Sequence, residues 1–295
     1  MKLLVTGADG QVARCLVEAG QAYGADVVAL GRSHLDITSQ SSLLDAVGAV
    51  HPDVIINAAA FTAVDKAEKE PEVAFGVNAI GAGNVARAAH RAGVPIIHLS
   101  TDYVFDGDKQ GDYSETDATD PISVYGRSKL EGERMVAEAA RRHLILRTAW
   151  VHSPFGNNFV KTMLKLAATR PELGVVDDQH GSPTFALHLA EAIIDVARQV
   201  RDKNATSRAW GIYHACGSGE TTWCGLAHEV FKVSERLSGP YAKVNPIPTC
   251  DYPTPARRPV NSRLSCEKLS QAFGVSLPDW RSGVATCVER LVNGH

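Results

Sequence analysis

The stretch "KLLVTGADGQVARCLVEAG" (2–20) decides how the chain is read. A short apolar run, "KLLVT", has the look of a buried strand. Two glycines come next, Gly7 and Gly10, and then apolar residues return at helical spacing from Gln11 onward. The glycines permit a sharp turn and a close approach of the backbone. The helix that opens after them presents free N–H groups and the positive end of its dipole, a good seat for a diphosphate. The spacing is Gly-x-x-Gly, and Ala13 stands where a third glycine often allows close helix–strand packing. Two glycines in a strand–helix turn are common, so the weight comes from the pattern of the next 130 residues.

That pattern is a regular alternation. "DVVAL" (26–30), "DVIINAAA" (53–60), "VPIIHLST" (94–101) and "HLILRTAW" (143–150) read as strands. "SSLLDAVGAV" (41–50), the segment 72–93 and "SKLEGERMVAEAARR" (128–142) read as helices between them. The strands are rich in β-branched residues and show no polar alternation, so both faces are expected to be buried. That pattern predicts an α/β fold with a parallel sheet covered by helices. A turn with free N–H groups at the head of such a series is best read as a dinucleotide loop. Farther on, 157–170 and 186–200 read as helices and "LGVVDD" (173–178) as one more strand. The proline-rich stretch 245–264 is expected to be a long ordered loop, neither helix nor central strand.

The 295 residues suffice for one large domain or two modest ones, with a hydrophobic content of 44% and a formal net charge of −3. The charge gives no basic excess of the kind that nucleic-acid or anionic-membrane binding needs. The six cysteines include no Cys-x-x-Cys pair and no zinc spacing, so no metal site is expected. The apolar run at the N-terminus is too short for a signal peptide, and no run is long enough to span a membrane. A cytoplasmic protein with mostly inert thiols is expected.

A nucleotide on the first loop would touch further positions. The second strand ends "ALGRS" without an acid, and Arg32 either meets a 2′-phosphate or is a solvated arginine at a strand end. The first reading favours NADPH, with NADH also allowed. Asp36 and Ile37 come where the adenine would be bordered. "NAAAFT" (57–62) supplies small residues against which a flat cofactor lies, or against which a helix packs closely.

Tyr125 and Lys129 stand four residues apart, on one face of a helix. Reducing a ketone with a nicotinamide needs a hydride and a proton for the new alkoxide. A free phenol has a pKa of about 10, and an adjacent ammonium is expected to lower it. Tyr125 is thus the candidate acid, and Lys129 its tuner and a clamp on the cofactor ribose. Thr101, at the end of the strand in "HLSTDYVF" (98–105), is the candidate polariser of the substrate oxygen, since ligands bind beyond the C-terminal edge of an open parallel sheet. The bland alternative makes Tyr125 a packing residue and Lys129 a solvated one.

With these segments the chain resembles the extended short-chain dehydrogenase/reductases, and within them the dTDP-4-dehydrorhamnose reductases. The matching segments include "STDYVFDG", "ETDATDPISVYGRSKLEGE", "DDQHGSPT", "TTW" and "YPTPARRPVNSRL", the last specific to that group. The resemblance implies a Rossmann-type doubly wound sheet with a smaller C-terminal domain. We take 1–150 plus about 186–215 as the dinucleotide-binding part, and about 151–185 with 216–295 as the substrate-binding part. It implies NADPH-dependent reduction of the 4-keto group of dTDP-4-dehydro-β-L-rhamnose. It places Thr101, Tyr125 and Lys129 on the catalytic trio, and Gly10, Gln11, Val12, Asp36, Ile37, Ala60, Phe61 and Thr62 on cofactor-contacting positions. Thr101, Asp102 and Trp150 fall on substrate-contacting ones. Some members hold a divalent ion at a dimer contact through glutamates. Here leucine and histidine stand in "PTFALHLAE" where an acid is wanted, which argues against that metal, while a homodimer stays compatible with the sequence.

Other readings are open at single residues. Trp150 either stacks on a sugar or base or packs in the core. Asp102 either binds sugar hydroxyls or caps a turn. Arg257 and Arg258 either reach the substrate diphosphate or lie on the surface. Among rival functions, a dehydratase of the same superfamily would carry Asp-Glu after the threonine, and this chain has Asp102-Tyr103. A reductase or epimerase of another nucleotide-linked 4-keto sugar, or a non-catalytic NADP-binding regulatory subunit, would share the fold.

Overall fold

The computed structural model describes residues 1–201 and 210–294. Its first half runs β1 (Lys2–Thr6), α1 (Gln11–Ala22), β2 (Asp26–Leu30), α2 (Gln40–Val50), β3 (Val54–Asn57), α3 (Val64–Ala67), α4 (Pro71–Phe75), α5 (Ala82–Ala92), β4 (Ile96–Thr101), α6 (Val124–Ala139) and β5 (His143–Thr148). The second half runs β6 (Val151–His152), α7 (Phe159–Ala167), β7 (Glu172–Val176), β8 (His180–Gly181), β9 (Thr184–Phe185), α8 (Ala186–Val200), β10 (Gly211–His214), β11 (Thr221–Thr222), α9 (Trp223–Arg236), β12 (Lys243–Ile247), β13 (Asn261–Ser262), α10 (Glu267–Phe273) and α11 (Trp280–Val292).

Among the described residues six strands form the main sheet, in the order β10-β5-β4-β3-β1-β2. All its pairings are parallel. The order reverses between β1 and β3, which puts the topological switch point beside the Gly7 loop.

The missing polar alternation has a direct physical cause. Successive side chains of a strand point to opposite faces, and here both faces are dry. Leu3, Val5, Val54, Ile56, Ile97, Leu144 and Leu146 pack on α1 and α8. Their neighbours Leu4, Ile55, Ile96 and Ile145 pack on the other face, against Leu43 and Val47 of α2, Val85 and Ala89 of α5 and Val136 of α6. Each such side chain contributes roughly 1.5–3 kcal/mol on burial. The edge strand β2 departs from the expectation: Asp26 is exposed and the rest of the strand is half-buried.

The segment 72–93 is helical throughout, but its middle, Gly76–Gly81, winds as a π-helix between α4 and α5. Such a segment is often found at a functional site. The expected strand at 173–178 forms as β7, paired with β12 in a sheet of its own. The proline-rich stretch is therefore not all loop. It includes most of β12, with Pro246 in register with Val175, and it ends with β13. Pro246 is tolerated because β12 is paired on one side only.

A second core gathers Val160, Leu164, Leu173, Val230, Phe231, Val244, Trp280 and Val288 from α7, β7, α9, β12 and α11. Of the stretch 186–215, the portion 202–209 lies outside the described residues. Among the described residues no helix is long and apolar enough to cross a membrane.

Candidate functional site

The turn after β1 is built for a close neighbour. Gly7 has φ 78°, and a Cβ there would come within 2.8 Å of the Ala59 Cα. Its N–H donates to the Leu30 carbonyl at 2.9 Å, which ties the loop to the end of β2. Gly10 precedes α1 in an extended conformation, and no side chain caps the helix. The first intrahelical bond comes from Arg14 N–H to the Gly10 carbonyl, so the N–H groups of Gln11, Val12 and Ala13 face outward from the helix start. These features fit a dinucleotide diphosphate. The Gln11 side chain is committed elsewhere: its Oε1 accepts from Ser153 Oγ at 2.9 Å and Asn158 Nδ2 at 2.8 Å.

Gly7→Ala is expected to strain the loop by about 1–3 kcal/mol from the positive φ alone and to push Ala59 aside. Affinity for reduced dinucleotide should fall about tenfold or more, the equivalent of roughly 1.4 kcal/mol. Fluorescence titration measures it, and unchanged affinity would place the nucleotide elsewhere.

The remaining candidate cofactor positions are arranged unevenly. Arg32 is exposed on the turn after β2, and the Asp9 carboxylate lies against Gly31 beside it. Asp36 accepts from both the N–H and the hydroxyl of Thr38, at 2.9 and 2.7 Å. Those bonds hold its carboxyl below the usual range, with Arg32 adding in the same direction. Ile37 is 5% exposed and packs into the core against α2 and α5, so little of its side chain is left for an adenine. Ala60 and Phe61 are half-buried and Thr62 exposed.

The C-terminal edge of the sheet brings Thr101, Tyr125 and Lys129 together. Ser123 caps α6 by accepting from Gly126 N–H at 3.1 Å, and Glu68 accepts from Val124 N–H at 2.8 Å. A Cβ on Gly126 would sit 2.1 Å from the Tyr103 carbonyl oxygen, so only glycine lets the first turn of α6 lie against the 102–104 turn. Tyr125 is 9% exposed and Lys129 2%, which corrects any picture of this end of α6 as a surface. The Thr101 hydroxyl lies near the Tyr125 phenol, and Tyr103 meets the Tyr125 ring edge-on at 5.5 Å.

The electrostatics correct one expectation. Lys129 does not draw the Tyr125 pKa down: burial pushes the phenol well up, the Thr101 hydroxyl pulls it back, and Asp102 and Tyr103 push it further up. The Lys129 ammonium donates instead to the Leu99 carbonyl at 2.6 Å. Burial brings the Lys129 pKa down to about 8, opposed by the Glu133 carboxylate one turn along α6.

That carboxylate belongs to a set of residues that sequence reasoning misses. Glu133 accepts from Arg147 Nε at 2.9 Å and Nη2 at 2.7 Å, and from Ser100 Oγ at 2.5 Å, with both charged side chains 2% exposed. Asn78, from the π-helical segment, accepts from Phe61 N–H at 2.8 Å and donates to Ser128 Oγ at 2.9 Å. It thereby joins the "NAAAFT" loop to α6. A chain Thr6–Asn57–His98 runs beneath the site through bonds of 2.6 and 3.0 Å, and burial, then Lys129, keeps His98 neutral. The one signal in the sequence is Glu133 at i+4 from Lys129. The other partners become neighbours only in the tertiary fold.

The pKa of Lys129 makes its role testable. The folded value lies below that of a free lysine, so the ammonium is lost in the cofactor-free protein as pH rises through about 8. The burial penalty on folding is fully felt below that pH. It is relieved between about 8 and the unfolded value of about 10.4. Dinucleotide affinity is expected to weaken above pH 8, and Lys129→Met should remove that step. A titration series across pH in which both proteins behave alike would deny the lysine a role in binding.

The candidate substrate positions are mixed. Asp102 is 3% exposed, accepts from Thr101 Oγ1 at 2.9 Å, and is pushed up to about 6 by burial. Trp150, at φ 48°, stacks on Trp223 with centroids 3.5 Å apart, so one face of its indole is already covered. Arg258 donates to Asp65 Oδ2 at 2.8 Å and lies near the Tyr103 hydroxyl, while Arg257 is exposed.

Residues 1–293 match the family described as the RmlD substrate binding domain. A dTDP-4-dehydrorhamnose reductase of Sinorhizobium fredii (strain NBRC 101917 / NGR234) is 48% identical over 99% of this chain and 98% of its own length. The crystal structure of a dTDP-4-dehydrorhamnose reductase from Clostridium acetobutylicum ATCC 824 superposes with a TM-score of 0.90, at 37% identity over 99% of each chain. That of Bacillus anthracis str. Ames, in complex with NADP, also scores 0.90, at 35% identity over 98% of this chain and 99% of that one. On this agreement along nearly the whole length, the chain belongs to the dTDP-4-dehydrorhamnose reductase family.

Proposed function

We propose that this chain reduces the 4-keto group of dTDP-4-dehydro-β-L-rhamnose to dTDP-β-L-rhamnose, with NADPH as reductant. One observation carries the chemistry: a protonated phenol, a hydroxyl and a buried ammonium converge at the sheet edge next to a glycine loop shaped for a diphosphate. Reduced nicotinamide, when bound, supplies the hydride.

The protein's own groups do the rest. Thr101 turns its hydroxyl proton from Asp102 to the keto oxygen and orients it. Tyr125 gives its proton to that oxygen as it becomes an alcohol. Its raised pKa suits this direction, because the phenol stays protonated at neutral pH and an alkoxide is a stronger base. Lys129, held by the Leu99 carbonyl beside the Glu133 carboxylate, offers a cation to the cofactor ribose. Arg32, on a strand end with no acid of its own, is placed for a 2′-phosphate. Asp102 faces the sugar hydroxyls. Trp150, packed between Trp223 and the Gly181 backbone, gives the sugar the part of its indole that these leave exposed, and Arg258 exchanges Asp65 for the diphosphate, with Arg257 beside it.

The division of labour follows the two cores. The main sheet with α8 holds the nucleotide, and the core of α7, β7, α9, β12 and α11 forms the substrate side. We place the protein in the cytoplasm, as a monomer or homodimer. Mixing it with dTDP-4-dehydro-L-rhamnose and NADPH should consume the near-ultraviolet absorbance of the reduced cofactor. No consumption, from a protein that binds NADPH, would leave the reading of a non-catalytic subunit in its place.

A further inference from the structure

We propose that Cys216 and Cys266 form a reversible thiol-oxidation site, which a small peroxide converts to a disulfide. Cys216 leaves the end of β10 and Cys266 immediately precedes α10, fifty residues later. The Cys216 N–H donates to Cys266 Sγ at 3.2 Å, and that sulfur lies 4.0 Å from the Cys216 carbonyl oxygen. The Cys266 sulfur also lies 3.7 Å from the Leu264 carbonyl oxygen. A sulfur seated this close to its partner's backbone needs little adjustment to reach disulfide geometry.

The environments divide the work. Cys266 is the less buried of the two, half-buried where Cys216 is 2% exposed. Cys216, through its neighbouring thiol and its backbone N–H, draws the Cys266 pKa below the ordinary thiol range, against burial and the charges of Glu115 and Asp112. Burial, first, and the Cys266 sulfur push Cys216 well up. This is the pairing of an attacking thiolate with a resolving thiol. By contrast, burial pushes Cys15 and Cys287 up to about 12, which leaves them unreactive, and Cys250 is a surface thiol.

The steps balance. The Cys266 thiolate attacks one peroxide oxygen and the O–O bond breaks. A sulfenic acid forms, and the departing hydroxide takes a proton to become water. The Cys216 sulfur then attacks the sulfenic sulfur, the S–O bond breaks, and a second water leaves with the Cys216 proton. Two thiols are oxidised by two electrons in all, and one peroxide is reduced to two waters.

The product would tie the exit of β10 to the segment behind Leu264, within the small core that Cys216 shares with Phe105, Tyr113 and Ala149. The test uses the full chain carrying Cys250→Ser, which removes surface cross-linking. Hydrogen peroxide should abolish two alkylatable thiols, lower the mass by about 2 Da, and yield a digest peptide linking Cys216 to Cys266, all reversed by dithiothreitol. Adding Cys216→Ser should stop the reaction at a single sulfenic acid on Cys266, trapped by dimedone. Absence of the linked peptide from the folded Cys250→Ser protein, or equal oxidation of Cys15, Cys224 and Cys287, would overturn the proposal whatever the second variant does.

Discussion

Tyr125→Phe is expected to lower kcat for the 4-keto sugar by about 10²–10⁴-fold, the usual share of a positioned general acid, while NADPH affinity changes little. The substitution removes one oxygen from a ring that is 9% exposed and packed edge-on to Tyr103, so the fold should hold. The loss should fall on kcat rather than KM, because the proton is needed only as the alkoxide forms. Steady-state kinetics with a parallel cofactor titration separate the two. Near-normal kcat would mean that another group protonates the product, and Thr101 and Asp102 would be the first places to look. A collapse of cofactor affinity would mean that the phenol is mainly a binding group.

The second large effect concerns stability. Glu133→Ala should destabilise the protein by about 3–5 kcal/mol, because it strands a buried guanidinium that is 2% exposed. It also removes the carboxylate that opposes burial at Lys129. The Lys129 pKa should therefore move further down, and the alkaline weakening of cofactor binding should begin at lower pH. Denaturant unfolding measures the first effect and the pH titration the second. A stability change under about 1 kcal/mol would indicate that Arg147 finds another partner. The double replacement of Glu133 and Arg147 by apolar residues is expected to recover much of the stability and none of the pH behaviour, since the paired charges offset one another while only the carboxylate acts on the lysine.

Much of this molecule is legible without coordinates. The main-sheet strands β1, β3, β4 and β5 announce themselves because both of their faces are buried, which is what such runs as Leu3-Leu4-Val5 and Val54-Ile55-Ile56 require. The Gly7 turn is legible because a positive φ next to the Ala59 backbone admits one residue type. Tyr125 and Lys129 are legible as a pair because helical spacing alone makes them neighbours.

Other features come from contacts between residues far apart in the chain. The Glu133–Arg147 pair, the Asn78 bridge and the seat of Lys129 on Leu99 join elements that sequence spacing does not relate. The same holds for the strand β12 inside a proline-rich stretch, where the pairing with β7 overrides a composition that reads as loop. Charge is the clearest case. The sequence suggests an ammonium beside a phenol, and hence a lowered pKa. The fold buries both, so desolvation outweighs their spacing, raising the tyrosine and lowering the lysine. The amino-acid order thus determined that Tyr125 and Lys129 are neighbours on one helix, and the tertiary structure decided their protonation, because burial depends on everything packed around them.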